Sequence, residues 1–288
     1  MELFQYPYMQ RALIAALVIG LAAPALGIYL VQRRLALIGD GVGHVALTGV
    51  GAGLLLNRSP VLVAVIVATL GAVAIELVRA RGRTSGDLAL ALLFYGGIAG
   101  GVMLVGLSDS TSANLNAYLF GSLTTISPTD LTTIAVLGVA ILVTMLALRP
   151  ALFAVCHDEE YARVSGLPVR TLNLLLAVAT AVTVTIAMRA VGVLLISALM
   201  VVPVAAAQQV ARGFRSTMAA AMTLGLFAAG SGVWVAANVD TAPGASVVLM
   251  AIASFVVVAV LGAAWRGLRR RGAPAVAPVP EPHEVVLH

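Results

Sequence analysis

The chain has no lysine: all 17 of its basic residues are arginine. A Walker A loop needs a lysine to reach the nucleotide phosphates, so this chain cannot build such an ATP site. There is one cysteine, Cys156, which leaves no partner for an intramolecular disulfide and no thiolate pair for a soft metal site. Charge is scarce as well. Charged residues make up 10% of the 288, against about 25% in a soluble domain. The first apolar run follows "MELFQYPYMQR" and lacks both a basic start and a small-residue cleavage site, so it reads as a first spanning helix rather than a cleaved leader. The net charge of +5 and the pI near 10.0 do not point to nucleic acid. In a membrane chain, basic residues mark the cytoplasmic side.

What fills the sequence is apolar: 61% of residues are hydrophobic. Nine segments stand out, at Met9–Tyr29, Leu35–Leu56, Pro60–Val78, Asp87–Leu107, Thr129–Leu148, Val169–Met188, Val191–Val210, Ser216–Ala236 and Ala245–Trp265. Each is close to the roughly 20 residues that cross a bilayer as helix. Helices satisfy their own backbone in lipid. The expected fold is therefore an all-α polytopic membrane protein with about nine (8–10) transmembrane helices. The loop "SDSTSANLNAYLFGSLTTISP" is long enough to hold a short re-entrant or surface helix. Pro203 should kink the seventh segment. With the N-terminus outside, only Arg11, Arg58 and Arg189 of the 17 arginines fall outside. This agrees with the positive-inside rule and places the C-terminus in the cytoplasm. Residues 1–268 are expected to form the transmembrane domain. Residues 269–288 read as a basic, then Pro-rich, disordered tail carrying His283 and His288. No internal repeat is evident, which speaks against transporters built on inverted repeats.

The polar exception is "IGDGVGHVALTG" in the second segment. Asp40 and His44 are spaced i, i+4 and share a helix face. An Asp at the bilayer centre costs about 2.5–3.5 kcal/mol on insertion scales, so something must offset it. A carboxylate oxygen and an imidazole nitrogen form part of a shell for a divalent transition metal. Two ligands leave the shell open, for water or a second copy of the chain to complete. Gly39, Gly41 and Gly43 leave room beside the pair, and Gly39/Gly43 and Gly49/Gly53 are small-xxx-small patterns that allow close helix approach. A structural reading stands beside this one. Counted from Leu35, Asp40 lies only about 7 Å into the helix and His44 about 13 Å, so Asp40 could be a cap paired with His44. Glu76, three residues before Arg79, reads as half of a surface ion pair, and Ser197 and Thr183 as packing residues.

Between the fifth and sixth segments, "HDEEYARVSGLP" has the punctuation of a short helix. Asp158, Glu159 and Glu160 fill its first turn, where negative charge suits the helix dipole. Arg163 follows Glu159 at i+4, and Gly166 and Pro168 give a stop. Tyr161 and Val164 form a small apolar edge. A helix this short is marginal alone, so it must dock on its own chain or on a partner.

Taken together, "RRLALIGDGVGHVALTG", "HDEEYARVSG", "VGVLLISALMVVPVAAA" and "NAYLFGSLTTIS" resemble the integral-membrane permease subunits of bacterial ABC importers for zinc, manganese and iron. The resemblance runs from about Met9 to Trp265. It implies a vitamin-B12-permease-like fold in the bacterial plasma membrane. It also implies a homodimer of permeases, a separate cytoplasmic ABC ATPase and an extracytoplasmic metal-binding protein. Such a chain is no enzyme and holds no permanent cofactor; zinc, manganese or iron would be its cargo. On the same resemblance Asp40 and His44 are the metal ligands, and Asp158, Glu159, Glu160, Tyr161, Arg163 and Gly166 belong to a coupling segment. Gly43 stands where the family often has Ser, and Thr48 where it often has Pro. The alternatives are a permease for siderophore or B12-type chelates, a self-contained secondary metal transporter and a non-transporting scaffold. The secondary transporter should show inverted repeats and several intramembrane carboxylates. The scaffold leaves the Asp–His pair without purpose.

Overall fold

The computed structural model describes residues 6–80, 86–108, 112–122, 124–193 and 195–271. Their regular structure is helical. The nine apolar segments correspond to α1 (Pro7–Gln32), α2 (Ile38–Leu55), α3 (Pro60–Ala80), α4 (Gly86–Gly106), α6 (Pro128–Ala147), α9 (Val169–Ala187), α10 (Ile196–Gln208), α11 (Phe214–Val239) and α12 (Pro243–Arg271). Three short helices complete the set: α5 (Ser112–Phe120), α7 (Arg149–His157) and α8 (Glu159–Val164). The long loop does hold a short helix, α5. Helix α12 carries the backbone through Arg271; His283 and His288 lie outside the described residues.

Among the described residues, 7 helices are long and apolar enough to span a membrane, fewer than the nine expected. The other two, Leu90–Gly106 of α4 and Ile196–Gln208 of α10, are apolar but shorter. The shortfall at α10 has a local cause. The expected helix start at Val191 is taken by a turn, with Gly192 at φ +90°. There the Val193 N–H donates to the Tyr118 carbonyl (3.0 Å), and the Ser122 N–H to the Arg189 carbonyl (3.2 Å). Bonds to the chain around α5 thus replace a turn of helix.

The helix ends follow from sequence. Proline occupies an early position in α1 and α6, where no intrahelical donor is lost. Ser127 and Asp130 cap α6 reciprocally. Arg34 and Asn57 take left-handed φ angles of 59° and 50° just past α1 and α2. At the first of these corners, Leu35 N–H donates to the Leu30 carbonyl (2.8 Å) and Arg34 N–H to the Val31 carbonyl (3.1 Å), closing a Schellman motif.

Helix α1 is the central post, buried along most of its length and packed on α6, α10 and α11. Helices α2, α3, α4 and α9 pack on one another and hold the Asp–His pair, with α9 joining them to α1; α11 and α12 close the other side. Small residues set these approaches. A Cβ on Gly27 would lie 1.9 Å from the Met200 carbonyl oxygen, and one on Gly232 2.4 Å from the Val247 Cα. In lipid, where apolar burial does not drive helix association, such backbone proximity supplies the contact. Outward faces are apolar instead, as with Leu62, Ile66 and Leu70 along α3.

Two adjacent glycines test this packing. A Cβ on Gly97 would meet the His44 carbonyl carbon at 2.6 Å, whereas one on Gly96 meets nothing within 4 Å. Gly97→Ala should destabilise by about 1–3 kcal/mol through overpacking. Gly96→Ala should be neutral or stabilise by up to about 1 kcal/mol through helix propensity. Thermal unfolding of the two purified variants in detergent checks the contrast; equal melting temperatures would overturn the packing assignment.

Candidate functional site

Helix α2 begins at Ile38, not Leu35, so Asp40 lies in its first turn. Helix rise alone then puts Asp40 about 3 Å and His44 about 9 Å from the start of the helix. Neighbouring helices give the depth more directly. The His44 backbone packs on Gly97, the twelfth of 21 residues in α4. His44 therefore sits at the middle of α4, and Asp40, which shares a groove with Leu37 and Leu90, lies about 6 Å nearer the start of that helix.

Asp40 forms no cap hydrogen bond at its own helix end. Its Oδ1 instead accepts from the Ser197 hydroxyl. Ser197 is the second residue of α10, so the first turns of two helices meet at this carboxylate. Unpaired N–H groups give each helix start a partial positive charge, which favours an anion. The cost of a carboxylate at this depth is offset by those two ends and one hydroxyl. Ser197 is thus more than a packing residue.

One turn further along α2, His44 meets the Phe94 ring edge-on, with centroids 4.4 Å apart and planes at 75°. Its Nδ1 is buried and has no hydrogen-bond partner among the described residues. Thr48, the next residue on the stripe, donates to the Gly97 carbonyl (2.8 Å). The hydroxyl thereby ties α2 to α4.

The glycines act differently from the expectation of open room. A Cβ on Gly41 would meet Leu90 at 2.9 Å, and one on Gly43 would meet Val193 at 3.2 Å. Gly39 has Ser197 and Met200 at ordinary contact distances. These three positions seat neighbouring segments. The free space lies on the α4 side of Asp40, a groove of about 280 Å³ between Leu37, Leu90, Phe94 and Tyr95. Gly49 and Gly53 lie against the backbone of Ala64 and Pro60, so the small-xxx-small pattern there joins α2 to α3. "YGGIAGG" in α4 carries the same pattern, and its Gly97 and Gly101 face α2. Among the described residues no three His, Cys, Asp or Glu side chains group together as a metal site.

The second cluster lies at the end of α1, where Arg33 meets α8 and α9 and α3 lines the adjoining cavity. Asp158 caps α8, its Oδ1 accepting from the Tyr161 N–H (2.9 Å). Gly166, at φ +80°, ends the helix. There Leu167 N–H donates to the Ala162 carbonyl and Gly166 N–H to the Arg163 carbonyl, both at 3.1 Å, a second Schellman motif. Ala162 is buried, whereas Tyr161 and Val164 are 66% and 88% exposed, so the apolar edge faces away from the chain. Glu159 bonds Arg33 of α1 at 3.0 Å and Arg163 at 3.4 Å. Glu76 pairs with Arg79 at 2.7 Å, but Glu76 is only 7% exposed, so this is a sheltered pair, not a surface one. Burial pushes the nearby Cys156 thiol up to about 11, against the opposing pull of Arg33.

A polytopic helical bundle with short helices at its ends and a polar pair within it is the architecture of a membrane permease. The chain matches the ABC 3 transport family over residues 5–262 and belongs to that family. It is 33% identical over 257 residues to the chelated iron transport system membrane protein YfeD of Yersinia pestis, covering 89% of this chain and 86% of the relative. It is 31% identical over 245 residues to the high-affinity zinc uptake system membrane protein ZnuB of Haemophilus influenzae, covering 85% and 94%. It is 30% identical over 278 residues to the manganese transport system membrane protein MntC of Halalkalibacterium halodurans, covering 94% and 95%. Among solved structures, PsaBC from Streptococcus pneumoniae in complex with Fab aligns with a TM-score of 0.83 at 29% identity, over 93% of this chain and 97% of that one.

Removing the Ser197 hydroxyl tests how Asp40 is held. Ser197→Ala should cost about 0.6–2 kcal/mol of stability, the range for a hydrogen bond between membrane helices. The loss should vanish in an Asp40→Ala background. Unfolding of the single and double variants in detergent measures the coupling; additive effects would overturn the contact.

Proposed function

We propose that the chain is the membrane permease subunit of an ATP-driven importer of a divalent transition metal: zinc, manganese or iron. The observation that carries this reading is the Asp40–His44 pair. A carboxylate and an imidazole project from one helix face inside the bundle, and a buried ring nitrogen lacks a partner among the described residues. Intramembrane ionisable groups mark ion pathways, and an O/N donor pair suits all three metals. Asp40 and His44 are the proposed cargo ligands, with the rest of the shell supplied by water or by a second copy of the chain in a homodimer. The relatives named for manganese, zinc and chelated iron support metal as the cargo class. A site for a bulky chelate would need a wide pore and no ligand pair.

Energy enters from a separate cytoplasmic ATPase, because a chain without lysine forms no Walker A site. The ATPase would dock on α8, whose exposed Tyr161 and Val164 and acidic first turn, including Glu160, offer apolar and charged contacts. An extracytoplasmic metal-binding protein would deliver the ion to the opposite face. Arginine placement supports a plasma-membrane topology with the N-terminus outside and the C-terminus in the cytoplasm.

Asp40→Ala and His44→Ala should each abolish metal-dependent growth while folded protein persists in the membrane. Normal cellular metal content in both variants, by elemental analysis, would return the pair to a structural role. Glu160→Ala should lower ATP-driven metal uptake by weakening the ATPase contact. Uptake equal to wild type in proteoliposomes with the ATPase would remove α8 from the docking surface.

A further inference from the structure

The residue that joins the ATPase-facing end to the metal-bearing helix is Arg33. Its side chain is 10% exposed, and both ends of its guanidinium are engaged. One nitrogen, Nη1, donates to Asn173 Oδ1 on α9 at 2.6 Å; the other, Nη2, donates to Glu159 Oε2 on α8 at 3.0 Å. A guanidinium can hold two acceptors in a fixed plane, which an ammonium cannot. Arg33 is also the C-cap of α1. The Schellman motif that follows it fixes the corner into α2, and Asp40 comes seven residues after Arg33 along the chain. Helix α8 is therefore bonded through one side chain to the rigid corner from which the Asp40–His44 helix starts.

The setting allows this contact to break and re-form. Arg33, Glu159 and Asn173 line a cavity of about 530 Å³, with the sheltered Glu76–Arg79 pair on its α3 wall. Across it Arg163 also holds Glu159, at 3.4 Å. Glu159 can thus shift between an inner and an outer arginine without losing a cationic partner. An ion pair facing such a space exchanges partners at lower cost than one packed in apolar surroundings, where a broken pair leaves an uncompensated charge.

We infer that Arg33 is a positioning residue for transport, coupling movement of α8 to the corner that carries α2 and so to the metal ligands. This rests on the permease reading above. Neither Arg33 nor Asn173 touches the cargo or the nucleotide in this scheme; their effect is on how much metal moves per ATP.

The test uses the full complex of permease, ATPase and metal-binding protein in proteoliposomes, with the transported metal as the probe. Metal moved and ATP hydrolysed are measured together. Arg33→Gln should lower metal moved per ATP by about tenfold, within the range usual for coupling between sites. Glu159→Gln, at the surface end of the contact, should lower the ratio similarly, and combining the two should add little. The exchanged pair Arg33→Glu with Glu159→Arg should recover part of the ratio, which a loss of general stability would not. If wild type shows ATP-dependent uptake and either Gln variant moves as much metal per ATP, the inference is overturned and the permease reading stands. If wild type itself shows no ATP-dependent metal uptake, the permease reading fails.

Discussion

A carboxylate inside an apolar bundle must be compensated by its surroundings, and Asp40 shows how this chain does it. Two helices begin beside it, α2 two residues earlier and α10 one residue before Ser197. Both start later than their apolar runs place them. Helix α2 starts late because the chain turns at Arg34; α10 starts late because the chain turns at Gly192 and bonds back to the Tyr118 carbonyl. The two late-starting helices bring their N-terminal ends to one carboxylate. Within a membrane, irregular backbone is tolerated only where protein or a water-lined cavity satisfies it. Here it places two helix dipoles on one negative charge.

The rest of the packing follows from that constraint. For Ser197 to reach Asp40, α10 must approach both α1 and α2. Gly27 admits the Met200 backbone on one side, and Gly39 leaves the second side open to Ser197. For His44 to sit against α4 with its ring on Phe94, Gly97 must bring the backbones together. The glycines around the pair are therefore packing residues that fix where the polar atoms point. The side of Asp40 left free faces α4 and its aromatic residues.

Much of this was legible in the sequence. The nine apolar runs found nine helices, because the length and hydrophobicity of a membrane helix are imposed by the bilayer rather than by partners. The short helix around Glu159 was legible because its cap, its acidic first turn and its Gly166 stop all act locally. What was not legible depended on partners distant in sequence. Ser197 is 157 positions from Asp40, and nothing near it marks it as a carboxylate's donor. The turn at Gly192 lies inside a run that hydrophobicity alone reads as continuous helix; its cause is a carbonyl on α5. Glu76 looked like a surface residue because its partner is three residues away, yet its shelter comes from the cavity wall shared with α1 and α9. "YGGIAGG" in α4 could have been found, since it repeats the small-xxx-small signal already recognised in α2.

The two polar clusters occupy opposite ends of one short covalent path. From Arg33 to Asp40 the chain runs through a Schellman corner and a single turn of helix. A long flexible loop here would absorb any movement at α8 before it reached the carboxylate. The corner instead fixes its backbone with two hydrogen bonds and accepts a left-handed arginine, a conformation that costs about 1–2 kcal/mol in an L-residue. That cost is consistent with a junction whose shape matters more than its local stability. Asp40, in turn, is shared with α10 through Ser197, so displacement of the corner strains a contact between two helices rather than moving one side chain alone. A site held this way can be opened by a small relative shift of α2 and α10. Such a shift would remove one hydroxyl and one helix end from the carboxylate, which on the proposed role of Asp40 would free it for a cation.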